Sequence, residues 1–248
     1  MLASEIRANA RRSLEGKWGK GALIVLTYLL IMLGISWILT KLSTVGEIID
    51  IIISVPVSYG IMASFIKLKR GEEVKYTGFL SEGFSKFGKA WGVCWHTILK
   101  MIVPVILIIA FIMINGTGQG INMVSDSSSN YSGITLISII GLVISVIYTS
   151  AKGLLYSLTN YILYDNPNMD SKEIVEESER LMRGNRWKYV WLTLSFIGWL
   201  ILCIFTLYIG AFWLIPYISV STVCFYEALS GKNSEEIVEP LENNPIQE

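Results

Sequence analysis

The chain is poor in charge, has a single histidine, and holds too few cysteines for a disulfide framework. Charged residues make up 16% of its 248 positions, against about 25% in an ordinary soluble domain. With His96 alone, no histidine-rich metal site can form; its place beside Trp95 suits a structural role at a membrane border. Cys94, Cys203 and Cys224 lie in or beside apolar runs, and their spacing matches no zinc site, so buried reduced thiols are expected. No nucleophile elbow, phosphate loop or paired-carboxylate motif occurs. The Gly-rich segment 115–120 follows an apolar run, not a strand, and is expected to be a loop. Accordingly no catalytic residue, metal or cofactor is predicted. Basic residues do not gather on one folded face, which argues against nucleic acid.

The charge deficit is explained by apolar runs too long for a soluble core. Residues 21–40 carry no charge, and 189–229 carry only Glu227. A hydrocarbon core about 30 Å thick needs about 20 apolar residues per helix. Six spans are predicted, near 21–40, 47–66, 97–115, 133–164, 189–208 and 210–229. The fourth is longer than needed and has to tilt, kink or project from the bilayer. A tight turn near Tyr208–Gly210 joins the last two. No cleavable leader is expected, because the first run is long enough to span and lacks a small-residue cleavage pattern.

Orientation follows from lysine and arginine. With the N-terminus in the cytoplasm, 18 of the 20 basic residues fall in cytoplasmic segments. Lys41 lies outside and Lys152 within the fourth span. The outer loop 115–132 has no basic residue, is rich in Gly, Ser and Asn, and is expected to be flexible. Its two glycosylation sequons, at Asn115 and Asn130, read as chance products of a polar loop. The tail 232–248, with five Glu and two Pro, reads as acidic, disordered and cytoplasmic. Residues 1–231 thus form one six-helix transmembrane domain in the cell membrane, with both termini inside.

Each cytoplasmic segment is predicted to hold a short amphipathic helix. In the first, Leu2, Ile6, Ala10 and Leu14 recur at steps of four; in the second, Leu80, Phe84, Phe87 and Trp91 recur at helical spacing. In the third, Asp170 and Glu173 form a capping box ahead of Ile174, Ser178, Leu181 and Met182. Such helices either lie on the membrane or pack on the rest of the protein.

The three segments also resemble one another. Each surface helix ends in a Gly–basic–Trp cluster containing Trp18, Trp91 or Trp187, and two spans follow. The second of these places an aromatic residue six positions before Gly or Pro: Phe65 and Gly71, Tyr161 and Pro167, Phe225 and Gly231. Nine residues before the aromatic stand Pro56, Lys152 and Pro216. Tryptophan suits the interface, and Gly or Pro ends a helix. The equal offsets predict three hairpins in a pseudo-threefold repeat, with the three tryptophans as interface anchors.

Several stretches carry a family resemblance: Ala3-Ser4-Glu5-Ile6-Arg7 with Gly16-Lys17-Trp18, Tyr161 to Pro167, Leu181-Met182-Arg183-Gly184, Ser195 to Trp199, Gly210 with Trp213 to Tyr217, and Phe225 to Leu229. The chain resembles an uncharacterised family of bacterial integral membrane proteins, domain of unknown function 975. More remotely it is similar to the membrane domains of some glycerophosphodiester phosphodiesterases. The resemblance implies a six-helix membrane protein and supplies no activity.

Few polar residues lie mid-span: Ser54, Ser58, Lys152, Ser157, Ser219 and Ser221. The first five are the candidate ligand-binding residues. A lysine at that depth is expected to face the bundle interior or a wet cavity, not lipid, and to find helix-end carbonyls, hydroxyls such as Ser54 or Ser219, or a bound anion. Asp50 is expected near headgroup water, and Asp165 and Glu227 are expected to pair with Lys or Arg. The function expected first is a non-enzymatic scaffold or helper whose partners are membrane lipids, a hydrophobic peptide or another membrane protein. A small-molecule or ion transporter or channel is the second reading, and a lipid-processing enzyme the third.

Overall fold

The structure is a computed structural model that describes residues 3–122 and 131–231. Its secondary structure is helical throughout, with no strand among the described residues. In chain order the helices are α1 (Ala3–Leu14), α2 (Trp18–Leu39), α3 (Ser43–Arg70), α4 (Gly78–Ser85), α5 (Phe87–Asn122), α6 (Tyr131–Gly153), α7 (Thr159–Asp165), α8 (Ser171–Met182), α9 (Arg186–Leu194), α10 (Ile197–Phe205) and α11 (Ala211–Ser230). The acidic tail 232–248, the outer-loop residues 123–130 with the Asn130 sequon, and Leu2 lie outside the described residues.

Five apolar helical stretches are long enough to cross a membrane: Trp18–Arg70, Phe87–Ala110, Ile139–Asp165, Arg186–Phe205 and Ala211–Ser230. The chain is therefore compatible with a multi-pass membrane protein. The first stretch has 53 residues, and as one straight helix would be about 80 Å long, far beyond a bilayer core. It folds back instead. A 3-10 turn at Thr40–Leu42 ends α2, Ser43 takes a positive φ of 53°, and α3 returns beside α2. The Ser36 hydroxyl in α2 then donates to the Asp50 carboxylate in α3 at 3.2 Å. Asp50 is thereby paired within the protein.

The core is built on α11. Its apolar window is 61% buried, against 11–17% for the other four stretches. Against α11 lies α1, which buries Ile6, Ala10 and Leu14 as their spacing predicts; the Tyr217 hydroxyl donates to the Arg7 carbonyl at 3.5 Å. Gly21 brings α2 onto the same helix, where a Cβ would meet Pro216 Cβ at 2.9 Å. Helix α8 begins with the expected capping box of Asp170 and Glu173 and buries Ile174, Ser178, Leu181 and Met182. Its Ser178 hydroxyl, fully buried, donates to the Leu155 carbonyl at 2.7 Å.

The buried face of α4 is Phe79 and Gly83, while Phe84 and Phe87 of the predicted stripe are exposed, as on a helix that turns its stripe to a membrane. Helix α4 approaches α3 backbone to backbone: Gly60 lies against the Phe79 carbonyl and Gly83 against the Pro56 carbonyl, with no room for a Cβ at either. A glycine contact carries no hydrophobic signal, so periodicity marked only the exposed face. One expectation needs correction: the segment 115–120 is not a loop, since α5 runs helically through it to Asn122. Each glycine costs a helix about 1 kcal/mol, but nothing there removes a helical hydrogen bond as proline would.

The long fourth stretch kinks. After Gly153 it passes through a 3-10 turn at Leu154–Tyr156 and resumes as α7. Its exposed apolar side chains stop at Tyr148, while Leu155, Tyr156, Leu158, Ile162 and Leu163 are buried in the core. The predicted tight turn is present between α10 and α11, with Leu207 and Tyr208 both at positive φ.

Candidate functional site

A concavity lies where α1, α2, α10 and α11 meet. It has a volume of about 570 Å³ and is lined by Arg7, Arg11, Trp18, Trp199, Leu202, Cys203, Thr206, Gly210, Trp213, Leu214 and Tyr217, a size ordinary for small-ligand sites. Local sequence explains its shape. Arg7 and Arg11 are four apart on α1 and so share a face. The double left-handed turn at Leu207 and Tyr208 sends α11 back beside α10. Trp199 and Trp213, on those two helices, both line the concavity.

The floor is aromatic. Tyr217 meets Phe196 edge-on at 5.1 Å between centroids and Trp18 at 6.0 Å. Arg7 and Arg11 share the lining. Among the described residues the buried Arg7 Nε has no hydrogen-bond partner, and neither arginine pairs with a carboxylate. By contrast, Arg70, Arg180 and Arg183 all hold carboxylates at 3.2 Å or less. The chemistry on offer is anion binding beside an apolar wall. No group of three or more His, Cys, Asp or Glu able to hold a metal occurs among the described residues.

A second cluster joins distant parts of the chain. Arg70, at the end of α3, donates to both Asp165 oxygens at 2.7 and 3.1 Å and to Glu227 at 3.2 Å. Lys69 reaches Glu227 at 2.6 Å. Asp165 and Glu227 are therefore paired with Lys and Arg, as expected, at the ends of α3, α7 and α11. Every carboxylate here already has a cation, so the cluster reads as a clamp.

The predicted polar candidates do not converge. The hydroxyls of Ser54, Ser58 and Ser157 each donate to a carbonyl three residues back, on Ile51, Val55 and Leu154, at 2.7–2.9 Å. Ser219 lines a separate cavity of about 180 Å³ with Tyr28, Met62, Phe65 and Tyr161. Lys152 stands 5.9 Å from the Tyr148 ring centroid. It acts with Lys100 and Arg183 on Glu179, whose carboxyl is held below its ordinary range first by the Arg183 hydrogen bond. Lys152 makes no hydrogen bond to Ser54 or Ser219 among the described residues.

Of the three predicted anchors, Trp18 lines the large cavity and Trp187 is 76% exposed. Trp91 donates its indole N–H to the Ile52 carbonyl at 3.2 Å. Sequence reading missed Arg7 and Arg11 as site residues, because they looked like any cations at a membrane border. Their signal was the four-residue spacing beside a tryptophan.

Comparison with known proteins gives one match. A family model described as "Protein of unknown function (DUF975)" matches residues 1–233. No curated protein and no solved structure matches the chain.

Proposed function

The chain belongs to the DUF975 family, a family of unknown function, and we propose that it is a non-enzymatic, six-span membrane scaffold that binds lipid. The observation that carries this reading is the large cavity: aromatic and aliphatic over most of its wall, with Arg7 and Arg11 in the lining and neither paired with a carboxylate among the described residues. A lipid offers both chemistries at once. The apolar surfaces around it fit the same reading, since Leu33, Ile106, Ile147 and Phe205 are all more than half exposed and suit a hydrocarbon solvent.

Counting α2 and α3 separately supports six spans. The packing of the short helices supports three hairpins in a pseudo-threefold repeat: α4 lies on α3, α8 on the turn before α7, and α1 on α11. Gly71 and Gly231, the matched repeat positions, are both left-handed helix ends. Cytoplasmic termini rest on the sorting of basic residues.

Native mass spectrometry of the full chain, released from membranes in mild detergent, tests the function. The expected result is lipid retained on the protein after annular lipid is stripped, and released intact. A chain that emerges free of lipid, or that hydrolyses what it holds, overturns the reading.

A further inference from the structure

We propose that the cavity between α1, α10 and α11 is selective for an anionic phospholipid, with Arg7 and Arg11 as the ligands of its phosphate; the proposal rests on the lipid-binding reading above. A guanidinium keeps its charge at any accessible pH. A buried donor on such a group, left without an acceptor, is strongly unfavourable. Arg7 and Arg11 stand one helical turn apart in the lining of one cavity, and among the described residues Arg7 Nε has no hydrogen-bond partner. Phosphate oxygens suit the pair, because arginine presents donors in a planar fork that matches phosphate geometry.

The opposite wall identifies the rest of the ligand. Trp199, Leu202 and Trp213 are each about half exposed on the outer surface of α10 and α11, so the cavity opens sideways among the apolar faces of these helices. A ligand held by its phosphate at Arg7 and Arg11 extends along this wall with its acyl chains. Inorganic phosphate leaves the wall bare, and a neutral lipid leaves the net positive charge of the two arginines uncompensated. A net-negative headgroup compensates it.

The test uses native mass spectrometry of the full chain in detergent, with phosphatidylglycerol, phosphatidylcholine or inorganic phosphate added. Wild type should retain phosphatidylglycerol at least about tenfold better than phosphatidylcholine, and excess inorganic phosphate should not displace it. Arg11 is exposed, so Arg11→Gln should fold; it should lose about tenfold in phosphatidylglycerol retention, the scale of one charged hydrogen bond. Arg7→Gln with Arg11→Gln should abolish the preference, with phosphatidylglycerol retention falling to the level of phosphatidylcholine. Leu202→Trp, which fills part of the cavity from α10, should weaken both lipids. Equal retention of the two lipids by wild type, a preference that survives the double variant, or displacement by inorganic phosphate overturns the proposal. Lipid retained without headgroup preference defeats this inference alone, whereas loss of all lipid defeats the scaffold reading beneath it.

Discussion

The Trp91 indole N–H donates to the carbonyl of Ile52 at 3.2 Å, and Ile52 is the residue that Pro56 leaves without a helical partner. In a regular α-helix the N–H of residue 56 would serve that carbonyl, and proline has none. A side chain from α5 therefore completes the hydrogen bonding of α3 at its proline, and it fixes how the two helices meet. In hydrocarbon no water can take over that duty.

A double-mutant cycle tests the pairing. Trp91→Phe should destabilise the chain by about 1 kcal/mol. In a Pro56→Ala background, where the backbone can serve Ile52 itself, the same change should cost less, with a coupling of about 0.5 kcal/mol or more. The readout is reversible denaturation in mixed micelles. Strict additivity of the two changes would remove the role given to Trp91.

Acid should weaken the contact between α8 and α5. The Arg183 hydrogen bond, with Lys100 and Lys152 nearby, holds the Glu179 carboxyl below its ordinary value of 4.5. A carboxylate lowered on folding contributes stability that is complete above its unfolded pKa and is lost as pH falls through the folded value. Melting curves between pH 6 and 3 should therefore steepen their decline below about pH 4.5, and Glu179→Gln should flatten that decline. An unchanged acid slope in the variant would contradict the assignment.

What could be read in advance follows from which interactions leave a periodic trace. The face of α1 at Ile6, Ala10 and Leu14 and the capping box of α8 depend on neighbours three or four residues apart, so local sequence carries them. The pairing of Asp165 and Glu227 with cations was also predictable, because charges near a membrane demand partners. That Arg70 serves both was not, since it stands 95 and 157 residues away from them. The α4 contact was invisible because Gly60 and Gly83 act by lacking a side chain. The arginine-lined cavity was invisible because its parts lie on helices that only the fold brings together.

That same glycine contact is directly testable. Gly60→Ala puts a methyl into the Phe79 carbonyl, whereas Gly34→Ala meets nothing within 4 Å. Gly60→Ala should destabilise by about 1–3 kcal/mol, as overpacking does, and should shed α4 to proteases. Gly34→Ala, in an open helix interior, should stabilise slightly, by up to about 1 kcal/mol. Equal effects at the two positions would mean that α4 does not sit on α3.

Topology has its own test. The turn at Ser43 follows α2, and Ser81 lies on α4; both residues are exposed. With six spans and an internal N-terminus, Ser43→Cys should react with an impermeant maleimide added to intact cells, and Ser81→Cys should react only after lysis. This needs a background in which Cys94, Cys203 and Cys224 are replaced. The reverse pattern would invert the orientation inferred from the basic residues.

The clamp at Arg70 gives the sharpest prediction about stability. Its guanidinium holds Asp165 with two hydrogen bonds and Glu227 with a third, and both carboxylates are nearly fully buried. Exposed pairs such as Arg180 with Glu177 contribute about 0–1 kcal/mol, but removing one member of a buried set costs about 3–5 kcal/mol. Arg70→Gln should fall at the low end of that range, since Lys69 still reaches Glu227, and Arg180→Gln should be close to neutral. Because Arg70 closes α3, Asp165 closes α7 and Glu227 lies near the end of α11, the loss should loosen all three together. Hydrogen exchange should then show protection falling jointly at the ends of these three helices in Arg70→Gln, with α8 unaffected. Loosening confined to α3 would show that the charges are neighbours without being a clamp.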